Sequence, residues 1–178
     1  MKTLVIAAHP NMEQSRINKR FMEEIKKHSE VTVHELYREY PDEKLDVQRE
    51  QQLLLDHDRI VLQFPFYWYS TPSLLKKWQD EVLSFGWAYG PNGDKLNGKE
   101  IIIATSTGGP EHSYVAGGYN KYSMSELLKP LQAMSNLVGA KYLIPYVFHK
   151  AMMVTDEEVE GGAKAYVEHV LSTKLSNY

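Results

Sequence analysis

Three short stretches of this chain carry residue types that could do chemistry. The most unusual is Phe64-Pro65-Phe66-Tyr67-Trp68-Tyr69-Ser70-Thr71-Pro72, where four aromatics stand between two prolines in a turn. Turns ordinarily use Gly, Asn, Asp and Ser, so an aromatic turn points to something flat or apolar to cover, in the first instance a planar cofactor. The competing reading is that these rings complete a core or an interface, where Tyr and Trp are enriched. The second stretch offers His9, Ser15, Arg16 and Asn18, just before and within the first turn of an expected helix. Free backbone N–H groups and the helix dipole make such an end an anion site, and Arg16 adds charge-assisted hydrogen bonds. One phosphate suits it. Taken alone, Ser15 is more simply an N-cap and Arg16 a solvated side chain. The third is Ser106-Thr107-Gly108-Gly109-Pro110, followed by Tyr114 and by Gly117-Gly118-Tyr119-Asn120. Its glycines permit close backbone approach to a ring, and Tyr114 can donate a proton or a hydrogen bond. A plain flexible loop is the alternative there.

Other candidates are weaker. Asp56-His57-Asp58 resembles a metal cluster, but it falls where a helix meets a strand and lacks a third ligand at suitable spacing, so a solvated turn is expected. His28, His34 and His169 lie on or beside amphipathic elements and read as surface histidines. His149 follows the fifth strand and reads equally as structural or as part of a crevice rim. Ala104-Thr105-Ser106-Thr107-Gly108 is not the G-x-S-x-G elbow of a serine hydrolase. The first loop has neither G-x-G-x-x-G nor G-x-x-x-x-G-K-[ST], so a dinucleotide pyrophosphate or a nucleoside triphosphate is poorly supported there.

The elements that must position these loops alternate. Lys2–Ala8 is a strand whose continuous apolar character implies burial on both faces. A helix starts at Ser15 with Ile17, Phe21 and Ile25 on one face. Val31–Leu36 is a second strand and Tyr37–Leu45 a loop. Asp46–Asp56 is helical, and Arg59–Gln63 is a third strand leading into the aromatic turn. A helix follows over Pro72–Phe85, a long loop over Gly86–Gly98, and a fourth strand over Glu100–Ser106. Ser123–Val138 reads as a helix with Leu127, Leu128, Leu131, Met134 and Leu137 inward. Pro130 should kink that helix or delay its start. Lys141–Val147 is strand five, and Thr155 opens a last helix with Val159, Ala163, Tyr166, Val167 and Val170 as its buried stripe. Five strand–helix alternations imply an α/β fold, a doubly wound, five-stranded parallel sheet with helices on both faces, formed by one domain over residues 1–178; the common order for such a sheet, and the one expected here, is the flavodoxin-like 2-1-3-4-5. Ligands of such sheets bind outside the carboxyl ends of the strands at the switch point. The loops after strands one, three and four, already singled out by their chemistry, then open into one crevice.

Composition narrows the function classes. The chain has 178 residues, a net charge of −3 and no cysteine. That leaves no basic footprint for nucleic acid and no polybasic membrane patch. Disulfides, thiolate zinc sites and thiol catalysis are removed, in keeping with a reducing cytosol. No apolar run approaches the ~20 residues of a membrane span, and the expected strand at Leu4–Ala8 is too short for a signal-peptide core. The expectation is a cytoplasmic protein.

With these residues in hand, the chain resembles the flavodoxin-like NAD(P)H:quinone oxidoreductases, the short bacterial relatives of DT-diaphorase, which include ancillary flavoproteins of glutathione-gated potassium efflux. The anchors are His9-Pro10 with Ser15-Arg16-x-Asn18, and Phe64-Pro65-x-x-Trp68 with Pro72, Lys76 and Trp78. Downstream stand Gly86-Trp87-Ala88-Tyr89-Gly90, Leu96-x-Gly98-Lys99, Thr107-Gly108-Gly109 and Leu128-x-Pro130-Leu131-Gln132. The resemblance implies non-covalent FMN rather than FAD, with NAD(P)H as co-substrate. It implies that His9, Ser15, Arg16, Ile17 and Asn18 hold the phosphate and ribityl chain. Pro65, Phe66, Tyr67, Trp68 and Tyr69, with Ser106, Thr107, Gly108 and Gly109, would line the ring. Tyr114, assisted by Tyr119, would hydrogen-bond the ring edge as charge develops. It further implies a homodimer with the site at the interface, and ping-pong two-electron reduction of a quinone or similar flat electrophile. The alternative within the resemblance is a regulatory flavoprotein subunit of a potassium efflux transporter. One departure is visible: DT-diaphorase has a histidine six residues after its tyrosine, where this chain has Asn120, and asparagine cannot relay a proton as imidazole does.

Overall fold

The computed structural model describes residues 1–178. Its centre is a parallel sheet of β1 (Thr3–Ala7), β2 (Val31–Glu35), β3 (Arg59–Pro65), β4 (Glu100–Ser106), β5 (Lys141–Tyr142) and β6 (Tyr146–Phe148) in the order β2-β1-β3-β4-β5, with β6 also paired to β4. Around it stand α1 (Arg16–Ile25), α2 (Leu36–Glu39), α3 (Val47–Leu55), α4 (Ser73–Val82), α5 (Met124–Leu127), α6 (Lys129–Leu137) and α7 (Asp156–Leu171). The two-residue period of a strand sends alternate side chains to opposite faces, and both faces are apolar here. Leu4, Ile6, Ile60, Leu62, Ile101 and Ile103 join the core under α3, α4 and α6. Val5, Val61, Ile102 and Ala104 join the core under α1 and α7.

Local sequence explains the element boundaries. Ser15 caps α1 by accepting from Asn18 N–H at 3.1 Å, and Asp46 caps α3 from Arg49 N–H at 3.0 Å. Ser123 with Glu126, and Thr155 with Glu158, form reciprocal capping boxes that start α5 and α7. The register aligns Ala7 with Gln63 and Pro65 with Ser106, so the aromatic turn and the glycine loop leave the sheet side by side.

Four expectations are corrected. Tyr37–Leu45 is not all loop, because the short helix α2 covers Leu36–Glu39. Ser123–Val138 is two helices: Leu128 ends α5, and Pro130, which lacks an N–H, sits in the first turn of α6, so it delays the helix start rather than kinking it. That break shifts the inward face. Leu128, Leu131, Ser135 and Val138 are buried, whereas Leu137 is 65% exposed. The fifth strand is split around Leu143–Pro145. β5 pairs with Glu100–Ile101 and β6 with Ala104–Ser106, leaving one extra residue between them as a bulge beside a proline that cannot donate to a ladder.

Two histidines expected at the surface or in a solvated turn are buried. His34 Nε2 lies 2.9 Å from Glu50 Oε1, inside the sheet edge. His57 Nδ1 donates to the Leu53 carbonyl at 2.7 Å, and its Nε2 meets Thr32 Oγ1 at 2.8 Å. Both were missed because a capping turn and a strand end look polar in sequence even when a neighbouring element covers them. No group of three or more His, Asp or Glu side chains converges anywhere in the chain. No helix is long and apolar enough to cross a membrane.

Candidate functional site

The loops after β1, β3 and β4 do open into one crevice, of about 680 Å³. His9, Ser15, Arg16, Ile17 and Asn18 line one end of it, and Pro65, Phe66, Tyr67, Ser106 and Gly108 line the other. The volume suits a ligand of cofactor size, since such sites run to about 300–1,000 Å³.

The α1 end is built to meet an anion. The first N–H groups of a helix have no partner inside it. Ser15 takes that of Asn18, leaving those of Arg16 and Ile17. His9 lies beside them with Nδ1 accepting from Asn11 N–H at 3.0 Å, so in the neutral ring the proton is on Nε2, free to donate. Burial holds the imidazole below its ordinary value, which favours that neutral form. Arg16 differs from expectation in detail. Its guanidinium donates to the Val154 carbonyl at 2.6 Å and to Asp156 Oδ1 at 2.6 and 3.1 Å. The side chain therefore clasps the start of α7, and what Arg16 offers a ligand directly is its backbone N–H. Asn18 is likewise engaged, donating from Nδ2 to Ser106 Oγ at 3.1 Å and so tying the α1 end to the β4 end.

The aromatic turn is a hairpin-like reversal. Tyr67 and Ser70 bridge to each other, with N–H to carbonyl bonds of 3.1 and 2.9 Å. The residues between them, Trp68 and Tyr69, have φ of 48° and 60°. Two consecutive positive φ values are the preference of Asn-Gly in such turns, and each costs a non-glycine residue roughly 1–2 kcal/mol. That geometry leaves the Trp68 and Tyr69 N–H groups without a partner in the chain. It also divides the side chains: Pro65, Phe66 and Tyr67 face the crevice, whereas Trp68 and Tyr69, with Phe66 and Tyr114, line an adjoining all-aromatic pocket of about 190 Å³.

The glycine loop supplies the opposite edge. The N–H groups of Gly108 and Gly109 have no partner in the chain, and a Cβ at Gly108 would meet nothing within 4 Å. Gly109 differs, since its Cβ would stand 3.3 Å from Tyr114 Cε2, which is how the Tyr114 ring comes to rest on the loop. Thr107 is fully buried behind the wall and does not line the crevice. Tyr119 is 87% exposed at the loop tip, outside the crevice, and Asn120 accepts from Tyr69 OH at 3.0 Å, linking the loop to the aromatic turn.

Asn11, Gln14, Ala151 and Met152 also line the crevice and carried no chemical signal of their own. The signal that could have found Ala151 and Met152 is positional: they follow the carboxyl end of β6, where this kind of sheet binds ligands. The residues thus fit a flat heterocycle with one phosphate. Helix N–H groups and His9 would meet the phosphate, unpartnered N–H groups on two loops would meet ring-edge acceptors, and aromatic and glycine surfaces would meet the ring faces.

Known proteins resemble this chain in sequence and in fold. A family model described as flavodoxin-like fold matches residues 1–170. An uncharacterized NAD(P)H oxidoreductase, YdeQ, of Bacillus subtilis is 54% identical over 99% of this chain and 89% of its own length. The glutathione-regulated potassium-efflux ancillary protein KefF of an Enterobacter species is 39% identical over 94% of each. Among solved structures, one described as a thermophilic tryptophan halogenase from "Streptomycin violaceusniger" is 55% identical, covers 96% of this chain and 99% of its own, and has a TM-score of 0.94. General stress protein 14 of Treponema denticola, solved in complex with FMN, is 43% identical with a TM-score of 0.92, covering 96% of this chain and 98% of its own. A protein of P. pentosaceus described as NADPH-quinone reductase is 36% identical with a TM-score of 0.89, covering 97% and 99%.

Proposed function

The chain belongs to the flavodoxin-like family, and on that premise we propose that it is an FMN-dependent NAD(P)H:quinone oxidoreductase. The observation that carries this reading is the crevice itself, with an anion-ready helix end facing a ring-sized slot edged by unpartnered N–H groups. His9 Nε2–H and the N–H groups of Arg16 and Ile17 hold the phosphate, with Ser15 and Asn18 beside the ribityl chain. The N–H groups of Trp68, Tyr69, Gly108 and Gly109 fix the ring edge. When bound, FMN supplies the redox chemistry: a hydride is accepted from NAD(P)H and, once the nicotinamide has left, passed to a quinone or similar flat electrophile. Phe66, Trp68, Tyr69 and Tyr114 give both substrates one aromatic place to stack, which supports ping-pong order. Tyr114 orients its hydroxyl toward negative charge arriving on the ring.

The relatives described as NAD(P)H oxidoreductase and NADPH-quinone reductase, and the FMN held by general stress protein 14, support this assignment. Halogenation is named for one similar structure, and no feature of this crevice argues for it. A homodimer is part of the proposal: Met152, which lines the crevice, is 85% exposed and Trp68, which lines the adjoining aromatic pocket, is 92% exposed, apolar surface that a second copy would cover. So are one domain over 1–178 and a cytoplasmic location. A second reading, a regulatory subunit on a potassium efflux transporter, draws on the KefF likeness and would require stable co-purification with such a membrane protein.

The deciding experiment is the absorption spectrum of purified protein after FMN loading, followed by anaerobic NADH and NADPH titration. A bound flavin spectrum that bleaches with either nucleotide and recovers with a quinone is expected. Protein that neither quenches FMN fluorescence nor bleaches removes the proposal.

A further inference from the structure

His149 follows β6 and takes no part in the contacts assigned above, yet its surroundings are well defined. Thr107 Oγ1 lies 3.0 Å from the Gly109 carbonyl and 2.8 Å from His149 Nδ1. A hydroxyl has one proton and a carbonyl can only accept. With that proton on the Gly109 carbonyl, the Thr107 oxygen accepts from His149 Nδ1–H, and Nε2 keeps its lone pair with no hydrogen bond inside the chain.

The backbone locks the same unit. Thr107 N–H donates to Phe148 O at 2.9 Å, Ala151 N–H to Thr107 O at 2.9 Å, and Lys150 N–H to Gly109 O at 3.0 Å. Tyr114 closes it from the other side, its ring centroid 5.5 Å from that of the imidazole at an interplanar angle of 33°. The imidazole, the Thr107–Gly109 backbone and the Tyr114 ring are therefore tied to one another. One surface of this unit lines the crevice through Gly108, and another lines the aromatic pocket through Tyr114.

We propose that His149 is a positioning residue for electron transfer in this crevice. Through Thr107 it fixes the Gly108 and Gly109 N–H groups, through Tyr114 it fixes the ring above them, and by taking a proton from solvent at Nε2 it sets a positive charge behind both when negative charge arrives on the bound ring. The proposal rests on the flavin reading above. Burial holds the imidazole below its ordinary value, with Glu111 opposing, so the resting ring is neutral and has a proton to gain. The charged and titratable groups around it are Glu111 on the turn before Tyr114, Tyr114 itself, Lys150 next in the chain, and Glu158 at the start of α7, within the field of Lys150. Of these, Glu111 favours the proton.

The test compares FMN-loaded wild type with His149→Gln and His149→Phe. Glutamine keeps an N–H donor for Thr107 and removes the titrating ring, whereas phenylalanine keeps a ring against Tyr114 and removes the hydrogen bond. Two measurements other than turnover decide it: the FMN dissociation constant from fluorescence quenching, and the flavin midpoint potential from about pH 5 to about pH 8, the span in which histidine changes charge. His149→Phe should weaken FMN binding about tenfold or more, in line with loss of a group that pre-organises a site. His149→Gln should bind FMN within about threefold of wild type, lose the bend in the potential–pH curve, and lower kcat with little change in KM. A His149→Gln curve that superimposes on that of wild type overturns the proposal, as does His149→Phe binding FMN as tightly as wild type. If His149→Phe does not fold, the glutamine curve decides alone. Wild type that takes up no FMN overturns the flavin reading first, an outcome distinct from these.

Discussion

Two aromatic regions of this molecule are built on opposite terms. At the crevice mouth, Trp68 and Tyr69 occupy a turn with φ of 48° and 60°, their side chains open to solvent and their N–H groups unpartnered. At the far edge of the sheet, Glu50 is 1% exposed and both of its carboxylate oxygens accept hydrogen bonds. Its Oε1 accepts from Tyr40 OH at 2.6 Å and faces His34 Nε2 at 2.9 Å, and its Oε2 accepts from Trp78 Nε1 at 2.9 Å. The first region stores strain and leaves polar groups ready for a ligand; the second turns its carboxylate, phenol and indole inward on one another. Strained, unsatisfied backbone marks function, and satisfied buried polarity marks fold specificity.

The largest effect should come from breaking the satisfied side. Glu50→Ala leaves His34, Tyr40 and Trp78 unpaired in a closed site, and removing one partner of a buried ionic network costs about 3–5 kcal/mol. Urea unfolding should show that loss, while FMN affinity of the surviving folded protein stays near wild type. A loss under about 1 kcal/mol, the value of an ordinary surface pair, would mean the network contributes little.

The same carboxyl predicts an acid limb. Burial alone would push Glu50 up, but His34, Tyr40 and Trp78 outweigh it and hold the group below its ordinary value of 4.5. The unfolded chain therefore takes up this proton at a higher pH than the folded one does. The stabilisation is fully present above about 4.5 and is lost as pH falls through the depressed folded value. Glu50→Gln should flatten that part of the melting temperature–pH curve relative to wild type. An unchanged slope would assign acid unfolding to other carboxylates.

On the strained side the sign reverses. Replacing Trp68-Tyr69 by Asn-Gly gives the turn the residues its dihedrals prefer, and should stabilise the fold by up to about 1–2 kcal/mol per relieved residue. The same change removes two walls of the aromatic pocket. With stacking worth ~0.5–1.5 kcal/mol, KM for a quinone should rise about two- to tenfold. Destabilisation, or an unchanged KM, would break the contrast between the two regions.

How much of this was legible in sequence follows the same division. The crevice loops were legible because their chemistry is odd for loops: aromatics in a turn, and glycines beside Tyr114. The sheet was legible from continuous apolar strands such as Leu4–Ala8. The Glu50 network was not, because its members are scattered over β2, the chain after α2, α3 and α4, and only tertiary packing joins them. Arg16 was legible as a cation near the crevice but not as a clasp on α7, since Asp156 is 140 residues away in sequence. His149 carried a divided reading because its partner Thr107 looks like a ring-lining residue until its hydroxyl is seen to turn inward.

The smallest expected effect concerns Leu137. A continuous helix over Ser123–Val138 would turn it inward with Leu127, Leu131 and Met134. The break at Leu128, fixed by Pro130, instead places Leu128, Leu131, Ser135 and Val138 on the buried face, with Ser135 Oγ donating to the Leu131 carbonyl at 2.9 Å. Leu137→Ser removes no core contact and should change stability by less than about 0.5 kcal/mol, whereas Leu131→Ala on the buried face should cost about 2–5 kcal/mol. Equal costs at the two positions would mean that the helix runs through Leu128 after all. A neutral Leu137 with a costly Leu131 would show that one proline sets the packing face of the helix two turns downstream.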